Sequence, residues 1–377
     1  VMLEILFWFS LSLIAYANIG YPAVLFIYCR LRRPVVVDWG YDGDWPLVSV
    51  VIIAHNEEER ISGKLGNLLG GDYPGVLEVI VVCDGCGDAT AELSRRFSKE
   101  GVRVIESGRC GKAEGLNQGV GAAKGDILVF ADVRQEFDPS AIRRLVMPFS
   151  DLAIVGVSGS LEIKEATEGP GKGIDLYWKL EKFIRLAESK IDSCIGCTGA
   201  IYAMRADCYY TLPADTLLDD VVVPMLALQG GGRILFEPAA RAYDPQELTA
   251  GNERRRKTRT MAGNFQMLCR YPGWLVPFRN RLWLQLLSHK YLRLAVPFLL
   301  MICFVTNALL VPTGGIYPVV FLLQFVAYVC AIMGMAPALS KLRIFSVPGG
   351  FLYLQYLCIL GLLCFIRMQT VRKPVGW

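Results

Sequence analysis

Hydrophobic positions follow two regimes along this chain. Ile5 to Tyr28 is a run of 24 uncharged residues, and Leu294 to Ile366 holds only two charges, Lys341 and Arg343. At 1.5 Å rise per residue, stretches of this length predict helices able to cross a bilayer. Between them the apolar runs are short. LVSVVIIA (47–54), VLEVIVV (76–82), VRVIE (102–106) and DILVFA (126–131) read as strands, each apolar nearly throughout. Helical patterns such as EEERISGKLGNLL and DATAELSRRFSKE separate them. That alternation predicts an α/β domain with a mostly parallel sheet, helices on both faces, flanked by transmembrane α-helices.

The ends of the chain refine this picture. The first apolar run lacks a basic start, so it reads as an uncleaved anchor rather than a signal peptide. Three C-terminal spans are expected at about 294–311, 317–335 and 350–366. Just before them, RNRLWLQLLSHKYLR places Leu282, Trp283, Leu286 and Leu287 on one face with basic residues at both ends. This predicts an amphipathic helix lying on the membrane surface. The expected organisation is an anchor at 1–33, a catalytic domain at 34–278, the interfacial helix at 279–293 and a membrane region with a basic tail at 294–377. Four spans would put Arg372 and Lys373 outside, so one span is re-entrant or interfacial, or the tail is an exception to the charge rule.

Charge changes the picture further. Positions 34–278 carry 27 Lys and Arg against 34 Asp and Glu, a net of −7, although the whole chain is +4. Basic residues collect at the flanks: Arg30, Arg32 and Arg33 on one side, Arg279, Arg281, Lys290 and Arg293 on the other. This positive-inside pattern predicts an integral protein of the inner membrane with its catalytic domain in the cytoplasm. An acidic domain disfavours nucleic acid as a partner. The 12 cysteines are expected as reduced thiols. The CxxC pairs Cys83/Cys86 and Cys194/Cys197 raise a shared zinc site, but each pair falls inside a longer motif, CDGCGD or CIGCTGAIYAMR, that accounts for its cysteines without a metal.

In parallel sheets ligands gather at the carboxyl ends of the strands. Three segments stand there: HNEEE (55–59), CDGCGD (83–88) and ADVRQ (131–135). Asp84 can accept hydrogen bonds from a base or ribose, or merely form a turn. Lys112 begins a helix, where the dipole disfavours a cation unless a phosphate is near; a solvated loop lysine is the alternative. Asp132 can hold a divalent cation against a diphosphate.

Taken in order, VSVVIIAHNEEE, VIVVCDGCGDAT, GKAEGLNQG, LVFADVRQ, CTGAIYAMR, LLDDVVVPMLALQGGGR and ERRRKTR resemble the family 2 glycosyltransferases. The likeness covers about residues 47–272 and is closest to the membrane-embedded branch of polysaccharide synthases and lipid glycosyltransferases. It implies a GT-A fold and an inverting transfer from a nucleotide sugar, most often UDP-linked, to a lipid or a growing polysaccharide at the cytoplasmic membrane face. It also implies that Asp84, with Ala54, His55, Asn56 and Glu57, binds the base or ribose side, and that Lys112 lies near the nucleotide. Asp132 matches the first acid of the DxD motif and implies Mg²⁺ or Mn²⁺ as cofactor. Arg134 replaces the second acid, so metal binding rests on Asp132, the diphosphate and water, or Arg134 supplies positive charge itself. In Leu218-Asp219-Asp220 the last acid is the implied general base, helix capping being the bland reading of both acids. Thr198 and Gly199 match the acceptor-facing wall. Glu253 to Lys257 stand at the family's QxxRW position with Arg256 retained and Arg259 following one helical turn beyond Arg255, an arginine cluster that would face the leaving diphosphate; Glu253 and Lys257 replace its Gln and Trp, and loss of the Trp weakens the case for long-chain processivity. A basic helix face touching anionic lipids is the alternative there. His55 and His289 look structural. A different class of reading makes the chain a catalytically inactive, sugar-nucleotide-binding scaffold of an assembly complex.

Overall fold

The computed structural model describes residues 1–31, 39–41, 43–163, 171–245, 250–336, 339 and 342–371. Arg32, Arg33, Lys341, Arg372 and Lys373, whose charges figure in the expected topology, lie outside the described residues. The chain divides into two compact units, one comprising 33–164 and 185–247 with the last five residues, the other 1–32, 165–184 and 248–372. Residues 165–184 and 248–278, expected within the catalytic domain, therefore group with the apolar helices instead.

The first unit is built on an eight-stranded sheet of β1 (Val48–Ala54), β2 (Leu77–Asp84), β3 (Val102–Ser107), β4 (Ile127–Ala131), β5 (Glu136–Phe137), β6 (Ile154–Ile163), β7 (Ile201–Arg205) and β8 (Arg233–Asp244), in the order β3-β2-β1-β4-β7-β6-β8-β5. The four apolar runs of the sequence are the parallel half, β3-β2-β1-β4. Strand β7 then runs antiparallel to both β4 and β6, while β6 and β8 are parallel. The sheet is thus mostly parallel but mixed, and its burial on both faces accounts for the apolar runs: every residue of β1 and β4 is buried. Register aligns the ends of the central strands, with Ala54 beside Cys83 and Ile52 beside Ala131. His55, Asp84 and Asp132 consequently emerge along one edge of the sheet.

The helix Lys112–Ala122 contains three glycines in eleven residues, a composition that ordinarily disfavours helix. Two of them explain it. A Cβ on Gly119 would stand 2.5 Å from Val51 Cγ1, and one on Gly115 would stand 3.0 Å from Ile53 Cγ2. These glycines, one helical turn apart, let the helix backbone rest directly on β1 and fix the position of Lys112 at its head.

Among the described residues of the second unit, three helices are long and apolar enough to cross a membrane: Met2–Leu31, Trp283–Thr313 and Arg343–Thr370. Tyr317–Met333 is apolar but has 17 residues, about 26 Å of helix. The segment 279–293, expected as an interfacial helix, also falls in this unit. From Trp283 onward the chain is continuous with the span to Thr313. Leu282, Leu286, Ser288 and His289 are buried within the protein rather than turned to a surface. The reason is a buried carboxylate, Glu181, which His289 Nε2 approaches at 3.0 and 3.1 Å and to which Arg293 Nη1 donates at 3.0 Å. The helix Ala250–Arg270 packs on the last span at Gly361, where any Cβ would collide with Met261.

Gly119→Ala tests the close packing under Lys112. The added methyl forces Val51 aside, and we expect a loss of about 1–3 kcal/mol in unfolding free energy. Gly121→Ala, whose Cβ meets nothing within 4 Å, should be neutral or stabilising in the same denaturation series.

Candidate active site

The loops after β1 and β2 brace one another. Gly87 N donates to Asn56 Oδ1 at 2.9 Å, Glu57 N to Thr90 Oγ1 at 2.8 Å, and Ala89 N to Glu58 Oε2 at 3.0 Å. Asn56 adopts φ 54°, a left-handed conformation that asparagine tolerates. His55 Nδ1 lies 2.7 Å from the Asp84 carbonyl, and Cys86 Sγ contacts the Ala54 carbonyl. Between the loops opens a cavity of about 490 Å³ lined by Asn56, Glu57, Glu58, Glu59, Arg60 and Asp88 with Gly87. Its acidic walls suit hydroxyl and amine donors rather than phosphate.

Asp84, expected to face the ribose or base, has no exposed surface. Its Oδ1 accepts from Cys110 N at 2.6 Å and Gly111 N at 3.0 Å, and its Oδ2 accepts from Arg109 Nη1 at 2.7 Å. Burial alone would raise its pKa, but these two amides and Arg109 outweigh burial and hold the carboxyl below its ordinary value. Asp84 therefore organises the loop that leads into Lys112. Arg109, which no sequence motif singles out, covers it with 37% of its side chain exposed.

Lys112 stands at the centre. Its Nζ donates to Asp132 Oδ1 at 3.0 Å and lies 3.5 Å from Asp219 Oδ2. Burial pulls its pKa down, and Asp132, Asp219 and Asp220 more than reverse this, so its ammonium is held above the ordinary lysine value. The helix dipole is thus opposed by carboxylates of the protein itself, without a phosphate.

Asp219 and Asp220 occupy the first turn of the helix Asp219–Gln229, where the dipole favours them. Neither is the cap: the N-cap position is Leu218, with no side-chain capping bond. Asp219 is buried and its Oδ2 has no hydrogen-bond partner among the described residues. Asp220 is half-buried against the turn 197–199, where Cys197 N donates to the Asp220 carbonyl at 2.7 Å. A Cβ on Gly199 would stand 2.9 Å from Asp220 Oδ2, so only glycine leaves room for that carboxylate. Thr198 is fixed beside it by Ser158, by the Gly159 carbonyl and by Arg185, whose Nη1 donates to Thr198 Oγ1 at 2.8 Å. Cys194 and Cys197 are buried in this turn, while Cys83 and Cys86 belong to the separate β2 loop.

Arg134 does not offer its charge beside Asp132. It forms a buried ion pair with Asp244 at the end of β8, and Gln135 Nε2 donates to the same carboxylate oxygen at 3.2 Å. Beneath this loop Lys64, also buried, donates to the Gln135 carbonyl at 2.6 Å with its Nζ 3.8 Å from the Phe137 ring centroid. Asn67 completes the grip by exchanging hydrogen bonds with both backbone groups of Phe137. Asp244 and Lys64 were not legible as site residues, because each acquires its role only through a partner some 70 or more positions away. Glu253, Arg256 and Arg259 lie on the helix Ala250–Arg270 of the other unit, where Glu253 pairs with Lys257 at 2.7 Å.

Among the described residues no group of three or more His, Cys, Asp or Glu side chains is arranged to hold an ion, so a preformed protein cage is lacking. The Asp132 side chain, 36% exposed, and the orphaned Asp219 Oδ2 both converge on one ammonium. Such hard carboxylate oxygens fit a divalent cation whose remaining ligands come from a diphosphate and water.

Comparison with known proteins bears on the family and the fold. Residues 49–209 match the family model described as Glycosyl transferase family 2. The chain is 24% identical over 231 residues to the poly-beta-1,6-N-acetyl-D-glucosamine synthase of Staphylococcus aureus (strain COL), covering 59% of this chain and 56% of the relative. It is 24% identical over 141 residues to an uncharacterized glycosyltransferase of Nostoc sp., covering 34% and 44%. The chain thus spans little more than half the length of the first of these relatives and less than half of the second. Among solved structures, the mannosyltransferase PcManGT from Pyrobaculum calidifontis, in complex with GDP-Man and Mn²⁺, superposes with a TM-score of 0.73 at 21% identity, covering 96% of this chain and 99% of that one. The GT-A fold is shared.

Lys64 yields a test of the loop's foundation. Burial pulls its pKa down to about 7 from 10.5, with Asp132 and Glu136 opposing. Between those values the unfolded chain holds a proton that the folded protein does not, so stability should rise as pH climbs from 7 toward 10.5. Thermal midpoints of wild type minus Lys64→Met across this window should show that slope; a flat difference would contradict the buried, depressed lysine.

Proposed function

Because residues 49–209 are a family 2 glycosyltransferase domain, we propose that the chain is a membrane-bound inverting transferase that moves a sugar from a nucleotide sugar to a lipid or growing polysaccharide acceptor. One observation carries this reading: Asp220 is seated on the turn 197–199 within a carboxylate cluster that surrounds Lys112. A half-exposed base and an anion-binding ammonium thereby meet at the carboxyl edge of the sheet.

In this mechanism the acceptor hydroxyl lies against Thr198 and Gly199. Asp220 takes its proton as the oxygen attacks the anomeric carbon, and the glycosidic bond to the diphosphate breaks in the same displacement. No covalent enzyme intermediate is required. Lys112 turns toward the charge gathering on the leaving diphosphate. A divalent cation held by Asp132 would add Lewis-acid neutralisation of the same phosphates when bound. The cavity between the β1 and β2 loops receives the nucleoside end, with Arg109 supplying donors where Asp84 is covered. UDP is the donor class the family resemblance suggests, and the GDP-Man of the solved neighbour adds a second to be tested. Support of the leaving group by Arg256 and Arg259 rests on the sequence motif alone. The three membrane-length helices support action at a membrane, and the flanking basic residues support its cytoplasmic face.

Purified protein in nanodiscs, assayed for nucleotide release over a panel of UDP- and GDP-sugars with Mn²⁺, tests the reading. Asp220→Asn should lower turnover by about 10²–10⁴-fold while leaving nucleotide affinity within about twofold. Equal turnover would remove Asp220 from the base role, and nucleotide binding without release from any donor would favour the inactive scaffold. Gly199→Ala should lower turnover at unchanged nucleotide affinity, since its methyl displaces the Asp220 carboxylate.

A further inference from the structure

Around Lys112 both backbones are closely held. The helix it heads rests directly on β1 through Gly115 and Gly119. The loop after Asp132 is pinned on one side by Arg134 and Gln135 to Asp244, and on the other by Lys64 to the Gln135 carbonyl. Lys112 itself reaches into the cluster on a flexible four-carbon stem. Its ammonium lies 3.0 Å from Oδ1 of Asp132, a partly exposed carboxylate with the hard oxygens a divalent cation takes. The nearby guanidinium of Arg134 is taken up by Asp244 and cannot substitute for it. A divalent ion arriving at Asp132 alone would meet a like charge in contact with the same oxygen. A diphosphate changes this balance, because it offers the ammonium a second anion to follow.

We propose that Lys112 is the resident counter-ion of a cation-exchange site, so that a divalent cation gains Asp132 only as the diphosphate of the donor draws the Lys112 ammonium away. The proposal rests on the nucleotide-sugar reading above. It makes cation and nucleotide binding mutually dependent, with Lys112 as the coupling element and Asp219, whose Oδ2 lacks a hydrogen-bond partner among the described residues, as the group that shares the ammonium.

The test measures Mn²⁺ binding by the electron paramagnetic resonance signal of the free ion, using the full chain in detergent with and without UDP or GDP. For wild type, Mn²⁺ affinity should rise at least about tenfold when nucleotide is saturating. Lys112→Met should bind Mn²⁺ alone at least about tenfold more tightly than wild type and lose most of the nucleotide dependence. Lys112→Arg keeps the charge and should stay weak, while Asp132→Asn should abolish the tight site in every background. Lys112→Gln replaces Lys112→Met if the latter does not fold by circular dichroism. Mn²⁺ affinity in Lys112→Met no greater than in wild type overturns the exchange. If UDP and GDP bind and Mn²⁺ coupling is the same in both proteins, only this inference fails. If neither nucleotide binds wild type, the transferase reading fails with it.

Discussion

The site depends on one buried charge. Lys112 places an ammonium among Asp132, Asp219 and Asp220, and without it three carboxylates would crowd the end of a sheet where water is scarce. The lysine gathers these carboxylates at one point, Asp132 at 3.0 Å and Asp219 at 3.5 Å from its ammonium, beside the turn on which Asp220 is seated. Its position is in turn a matter of backbone geometry. Asp84, wholly buried, draws the amides of Cys110 and Gly111 and the guanidinium of Arg109 into the turn that launches the Lys112 helix. A carboxylate with no surface thus governs where the neighbouring charge appears.

The second organising constraint is the absence of side chains at a few points. Gly119 lets a helix touch β1, and Gly199 leaves room for the Asp220 carboxylate. In both places the function of glycine is the space it leaves rather than the conformation it permits. This accounts for a helix rich in a residue of poor helix propensity: the loss in intrinsic preference is offset by direct contact with the sheet.

How much of this could be read from the chain follows from the range of the interactions. Strands β1 to β4 are uninterrupted apolar runs, so burial on both faces makes them legible. Strands β6 and β8 carry Gly156, Gly159 and Pro238 together with polar residues, and their antiparallel and bulged pairing with the rest of the sheet leaves no comparable signature. The acids at strand ends were identifiable because parallel sheets concentrate ligands there. Their allegiances were not. Arg134 turns to Asp244, 110 positions away, and Lys64 reaches Gln135 across 71. The segment 279–293 has the pattern of a surface helix, but Glu181 draws His289 and Arg293 into the protein and carries the helix with them. A hydrophobic face states only that something apolar covers it, and a buried carboxylate elsewhere decides what does.

The contact at Gly361 has a mechanical consequence within the helical unit. With no side chain between them, the helix Ala250–Arg270 and the span Arg343–Thr370 meet backbone to side chain at Met261, leaving no compressible layer to absorb relative motion. The span's own tilt is set by how its apolar length matches the surrounding hydrocarbon. Were the helix Arg343–Thr370 to cross a bilayer, as its length and composition allow, Arg254, Arg255, Arg256 and Arg259 on the packed helix would follow its tilt, and membrane thickness would become a variable for this row of charges.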